Sequence, residues 1–258
     1  MSDLVLVHVE TPAAIITLNR PEKRNALNRA LVAQLIEAFA RASADGQVRA
    51  VILTANGPAF CAGMDLAELA ETLDRPDEAE QVHADTHRLA ELYELIYACP
   101  KPTIAAVPGP AVAGGAGLVT VCDLALATPQ ARFGYPEVRR GLVAAIVLPH
   151  LLRLVGERLA RELLLGGELM DAPRAYQVGL INAIVSESDL LPTALQWARR
   201  CALGGPQALA KTKELLRRFS PFTSASQVAE ESASSRLQVE CREGLRAFLE
   251  KRPAPWVK

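Results

Sequence analysis

A chain of 258 residues, half of them hydrophobic, can bury a large core, as one α/β domain or one domain with an appendage. A formal net charge of −1 speaks against a basic field that would recruit nucleic acid. No apolar stretch approaches the roughly 20 residues of a bilayer span, and MSDLVLVHVETP lacks the basic and apolar regions of a secretory signal, so a cytoplasmic protein without a membrane partner is expected.

The first segment alternates through Leu4–Val9 and resumes at Ala14–Leu18, which predicts a β-hairpin. Asn19–Lys23 is a polar loop. Asn28 is placed to cap a helix over Arg29–Ala44, with Leu31, Leu35, Ile36 and Phe39 at helical spacing. Asp45-Gly46 ends it, and Ala50–Thr54 reads as a buried strand. After the turn Asn56-Gly57-Pro58, AFCAGMDL leads into a short helix over Leu66–Leu73. Leu73–Ala79 is polar and loop-like. A long helix of about Asp77–Cys99 follows, carrying Leu89, Leu92, Leu95 and Ile96 on one face. Its His83 and His87 stand four apart, as a helical metal pair would. The run between them is HADTH rather than H-E-x-x-H and no third ligand suggests itself, so no metal is expected.

The stretch Lys101–Glu137 organises the rest. Thr103–Val107 is a buried strand between Pro102 and Pro108, and Gly114-Gly115 open a helix to about Cys122. Leu124–Ala127 and Ala131–Phe133 are further strands, the last ending at Gly134, and Glu137 hangs beyond it. A glycine-lined helix N-terminus suits developing negative charge, and a nearby carboxylate suits proton transfer. The same glycines are equally explained by close backbone approach. Neither G-x-x-x-x-G-K-[ST] nor G-x-G-x-x-G occurs in proper order, so this is no phosphate loop.

Leu142–Val155 is predicted as a buried helix ended by Gly156, followed by a helix over Glu157–Leu165 and a Gly166-Gly167 turn. Asp171 caps Ala172–Val178, and Leu180–Val185 is the final strand. From about Ser188 only helices remain, near Asp189–Leu203, Pro206–Phe219, Ser224–Gln238 and Cys241–Glu250, with Ser220-Pro221 as a break. The division expected is a core over residues 1–187 and a helical region over 188–258 that docks on the core or on a neighbouring subunit. Five cysteines, odd in number and without CxxC, read as reduced packing residues; Cys61 has no activating base beside it.

Taken together, NRPEKRNAL (Asn19–Leu27), AFCAGMDL, the Gly114-Gly115 run and the closing AFLEKRPAPW resemble the crotonase, or enoyl-CoA hydratase/isomerase, superfamily over nearly the whole chain. The resemblance implies an α/β spiral of ββα units with a C-terminal helical region that builds a homotrimer or a dimer of trimers. It implies an acyl-CoA thioester substrate and no cofactor beyond the coenzyme A that the substrate carries. The thioester oxygen would lie between the N–H groups of Met64 and Gly114. Ala62, Asp65, Leu66, Gly115 and Gly117 would border the substrate. Lys23, Arg24 and Lys251 become candidates for the CoA phosphates, with Phe248 and Lys251 reaching the CoA of an adjacent subunit.

Hydration in this family is usually divided between two glutamates. The second maps onto Glu137, while the position of the first is Gly117. This departure leaves two activities open. Glu137 alone can shuttle a proton from water to Cα of a 2-enoyl thioester, or it can move a proton between Cα and Cγ and so isomerise a 3-enoyl thioester. The similarity of GGAGL and PEVRRGLVAAIV to bacterial enoyl-CoA and methylglutaconyl-CoA hydratases favours hydration. A non-catalytic acyl-CoA-binding scaffold is the reading from a different class. In either reaction burial beside an apolar acyl chain should raise the Glu137 pKa.

Overall fold

Ala13–Leu18 lies almost wholly buried and pairs on both sides, which makes it the seam of the main sheet. This strand, β2, runs antiparallel to β1 (Val5–Glu10) and parallel to β3 (Ala50–Ala55). The computed structural model describes residues 3–219 and 225–256. Beyond β3 the parallel sheet continues through β4 (Thr103–Val107) and β6 (Leu124–Ala127) to β9 (Ala183–Ile184), six strands in all. A smaller sheet joins β5 (Ala111–Val112), β7 (Arg132–Gly134) and β8 (Leu169–Asp171). The chain is thus of the α/β class expected.

Alternation along the strands sends side chains to two cores. On one face Ile16, Leu18, Val51, Leu53, Ala105 and Val107 meet Leu31, Leu35 and Phe39 of α1 (Arg29–Ala44), and Leu89, Leu92, Tyr93 and Ile96 of α3 (Glu78–Tyr97). Asn28 caps α1 as predicted, accepting from the Leu31 N–H at 2.9 Å. On the other face Ile15, Ile52, Ile104 and Leu126 meet Leu190, Ala194, Leu195 and Ala198 of α7 (Glu187–Ala202). Packing therefore places α7 within the core, although composition groups it with the helices beyond residue 188.

The chain between β5 and β7 forms α4 (Gly114–Thr120), and after Gly134 a 3-10 turn spans Pro136–Arg140. Residues 142–147 are not helical, contrary to the sequence reading. The helix α5 begins only at Leu148 and runs to Gly166, with Gly156 interrupting it at φ 73°. Pro149 accounts for the late start, since it has no N–H to donate back to Ala145 and so fits only a first helical turn. A short α6 (Ala172–Gln177) precedes β9.

The last helices are α8 (Pro206–Arg218), α9 (Ala225–Arg236) and α10 (Val239–Leu249). The expected break at Ser220-Pro221 and helix start at Ser224 lie outside the described residues. Leu69 and Leu73 of α2 (Leu66–Leu73), Val82 of α3 and Leu142 join Ala233, Cys241 and Leu245 in a third cluster, so α9 and α10 close over this chain's own α2 and α3. His83 Nδ1 and His87 Nε2 lie 3.3 and 2.8 Å from the Glu230 carboxylate, which ties α9 to α3. The expectation that no third group joins the histidine pair is thereby corrected: Glu230 arrives from a distant helix, and the three candidate donor atoms lie within 4.8 Å of one another. Among the described residues no helix is long and apolar enough to cross a membrane.

Candidate active site

Two backbone loops meet at the head of α4. The first, through Gly63 and Met64, is stitched to its neighbours on both sides. Leu27 donates its N–H to Gly63 O (2.8 Å) and accepts from the Asp65 N–H (3.0 Å), while Cys61 bridges to Ala111. The second runs Val112–Gly114, where Ala113 donates to Gly134 O at 2.8 Å. Ala113 adopts φ 54° and ψ −125°, a costly region for any residue with a Cβ, and so turns the chain sharply into α4. Gly63, at φ 87°, has no space for a side chain: a Cβ there would lie 2.8 Å from Ala113 Cβ and 3.3 Å from Gly114 N. The outcome is that Gly63, just before Met64, packs against Gly114, and the Met64 and Gly114 N–H groups donate to no acceptor among the described residues. Two such donors form a site for a developing oxyanion.

Met64 and Gly114 line a cavity of about 470 Å³ that also takes in Glu137. Glu137 sits in the 3-10 turn after β7, its carbonyl accepting from the Leu142 N–H at 3.0 Å. Its Oε2 is buried with no hydrogen-bond partner among the described residues. Burial pushes the carboxyl up to about 7, against its own backbone N–H and the charges of Arg140 and Arg236, which pull it down. A carboxylate poised at that value can both accept and return a proton near neutrality.

The remaining candidates separate by position. Lys23, Arg24, Ala62, Asp65, Leu66 and Phe248 all line the cavity. Lys23 and Arg24 are exposed, on a loop that buried Asn25 pins in place. Asn25 accepts from the Arg20 N–H at 2.7 Å and donates to the Asn56 and Ala59 carbonyls, both at 2.9 Å. Asp65 is committed to the scaffold: it pairs with Arg20 at 2.6 Å and caps α2 through the Ala67 and Glu68 N–H groups. Burial pushes its carboxyl up, yet Arg20 and those N–H groups together hold it below its ordinary value. Phe248 lines the cavity of its own chain, with the Arg140 guanidinium 4.5 Å from its ring centre. Lys251 is exposed past the end of α10 and lies off the cavity wall.

Gly115 and Gly117 do not border the cavity. A Cβ on Gly115 would collide with Cys61, its Cβ lying 2.7 Å away, so this glycine exists for close packing. Cys61 itself is buried, and burial pushes its thiol up to about 12, as suits a packing residue. A Cβ on Gly117 would strike Tyr93 Oη and Val147 Cγ1. The space that a glutamate would use is therefore filled by Tyr93, whose hydroxyl donates to Gly114 O at 2.5 Å and whose ring lines the cavity. Sequence reasoning missed Tyr93. It stands four residues after Leu89, on the inward face of α3, which was the available signal.

Comparison with known proteins agrees with this geometry. The family model described as Enoyl-CoA hydratase/isomerase matches residues 9–258. The 2,3-dehydroadipyl-CoA hydratase of Escherichia coli is 36% identical over 256 residues, covering 98% of this chain and 97% of the relative. A crystal structure of an enoyl-CoA hydratase from Mycobacterium avium is 38% identical and superposes with a TM-score of 0.85 over 100% of both chains. That of an enoyl-CoA hydratase/isomerase from Xanthobacter autotrophicus Py2 is 32% identical, with a TM-score of 0.87 over 98% of each chain. A family model matched over residues 9–258, with relatives and solved structures alike over nearly the whole chain, places this protein in the enoyl-CoA hydratase/isomerase family, the crotonase superfamily.

Proposed function

We propose that the protein hydrates a 2-enoyl-CoA thioester with Glu137 as its one acid–base group. The observation that carries the reading is the unbonded Glu137 Oε2, buried in the same cavity as the free Met64 and Gly114 N–H groups. The thioester oxygen accepts from both N–H groups. Ionised Glu137 takes a proton from water as the water oxygen bonds to Cβ, and the alkene electron pair moves onto Cα and the thioester as an enolate. Protonated Glu137 then delivers that proton to Cα on the same face, so water adds syn. Donors of this kind are worth roughly 3–4 kcal/mol each toward the transition state, and the proton shuttle about 10²–10⁴-fold. Lys23 and Arg24, at the cavity lining, receive the CoA phosphates, and no cofactor is needed beyond the coenzyme A of the substrate.

A second reading is isomerisation of a 3-enoyl-CoA, favoured by the filled space at Gly117, since one carboxylate suffices for a shift between Cα and Cγ. Loss of the conjugated absorbance of crotonyl-CoA tests hydration; its appearance from a 3-enoyl-CoA tests isomerisation. A protein that binds acyl-CoA esters but turns over neither these nor longer or ω-carboxylated enoyl-CoAs is an acyl-CoA binder. The trimeric assembly belongs to the same proposal. It is supported by α8, which buries no residue within the chain, and by Phe219 beside it, which is 80% exposed.

A further inference from the structure

Arg236 is the last residue of α9 and only 7% exposed. It falls on the same side of the helix as Ala229, Ser232 and Ala233, all buried. Among the described residues its guanidinium makes no hydrogen bond and no ion pair. The acids around it are already committed. Asp85 accepts from Arg29 Nε at 2.8 and 2.9 Å and from Arg29 Nη2 at 2.7 Å; Asp65 is held by Arg20, and Glu68 accepts the Arg29 N–H at 3.0 Å. Asp85 and Glu137 attract Arg236 only through space. A guanidinium does not shed its proton at any ordinary pH, so a full positive charge stands in the wall with no anion hydrogen-bonded to it among the described residues. Such a group is costly unless something anionic meets it.

The wall in question divides two cavities. Met64, Asp65, Leu89 and Arg236 line both the Glu137 cavity and a second one of about 370 Å³. The second is walled by apolar side chains, among them Val32 and Leu69, and by charged ones, among them Arg29, Asp85 and Arg88. An acyl chain held by its thioester at Met64 and running along Leu89 toward the second cavity would meet Arg236, which lines both.

We propose that Arg236 receives a carboxylate at the far end of the acyl chain, so that the substrate is a 2-enoyl-CoA carrying an ω-carboxylate. This rests on the hydratase reading for the reaction, but not for the binding preference. A guanidinium meets a carboxylate with two parallel N–H bonds, and the pair forms here out of bulk water.

The test is equilibrium binding by calorimetry, which needs no turnover. Succinyl-, glutaryl-, adipyl- and suberyl-CoA are compared with their ω-methyl esters and with the acyl-CoAs of equal length. At one chain length the acid is expected to bind at least about tenfold tighter than both partners, the scale of a charged hydrogen bond. In Arg236→Met that ratio falls to within about twofold. Wild-type protein that binds the acids no tighter than the esters at any length overturns the proposal, as does a preference that survives in folded Arg236→Met. If the variant does not fold, the acid-against-ester comparison in wild type decides alone. A preference for the acids in a protein that fails to hydrate them would sink the hydratase reading and leave this one standing.

Discussion

The Tyr93 hydroxyl occupies the space that any side chain on Gly117 would need, and from there it donates to the Gly114 carbonyl at 2.5 Å. Inserting a carboxylate at this position is therefore a packing problem before it is a chemical one. Gly117→Glu alone should lose at least about 3 kcal/mol of stability, the upper range for overpacking, because Tyr93 and Val147 both stand in its way. Adding Tyr93→Ala opens the space, and the double variant should be more stable than Gly117→Glu alone. Thermal melts of the four members of this cycle read the coupling; strictly additive losses would contradict the packing.

Glu137→Gln keeps the shape of the side chain and removes its basicity. Turnover should fall at least about 10²-fold while affinity for CoA esters changes little. A variant that retained most of its kcat would place the catalytic group elsewhere.

Because burial lifts the Glu137 carboxyl to about 7, activity and stability should respond to pH in opposite directions. The base works only when ionised, so kcat/KM should rise with pH and level off above a midpoint near 7. Folding raises this pKa from 4.5, so the native state is favoured while the group is protonated. That contribution is whole below the unfolded value and is lost as pH rises through about 7. Glu137→Gln should flatten this part of the stability curve in denaturant titrations; an unchanged curve would mean the carboxyl is solvated.

Tyr93→Phe deletes one hydrogen bond and no volume that matters. It should cost about 1 kcal/mol of stability. It should also lower kcat several-fold by loosening Gly114, with the midpoint of the pH–rate profile unmoved. A shifted midpoint would mean that the hydroxyl itself exchanges protons with the substrate.

Deleting the chain from Pro206 onward removes α9 and α10 from Leu69, Leu73 and Val82 and takes Phe248 out of the cavity wall. A smaller oligomer or insoluble protein is expected, since that apolar surface becomes exposed. Light scattering that returned the symmetry of the intact chain would show that assembly does not depend on these helices.

What could be read from the sequence follows from length and periodicity. Thr103–Val107 and Leu124–Ala127 were legible as buried apolar runs, and Asn28 with the apolar spacing of Arg29–Ala44 marked α1. Met64, Gly114 and Glu137 were singled out by the family resemblance of AFCAGMDL, the Gly114-Gly115 run and the YPE segment, and all three line one cavity. β5 and β8 were not: two or three residues carry no periodicity, and neither ends at a glycine as β7 does at Gly134. The loop over residues 142–147 was misread because its apolar side chains face a cavity, which looks like a buried helix until Pro149 is weighed. Glu230 meeting His83 and His87 is a tertiary fact without local signature. Arg236 left a trace, being a charge seven residues after Ala229 on the face that α9 buries.

Met64 would play two parts through two sets of atoms: in the proposed reaction its amide is a donor to the thioester oxygen, while the residue lines both cavities. No substitution other than proline deletes the amide, so the side chain is free to vary without cost to the donor. Substrate range can therefore drift by exchange at this one position while the reaction persists. In directed evolution, residue 64 should accept large and small apolar replacements that change acyl length preference; only an amide-to-ester replacement of the backbone would reach the donor itself.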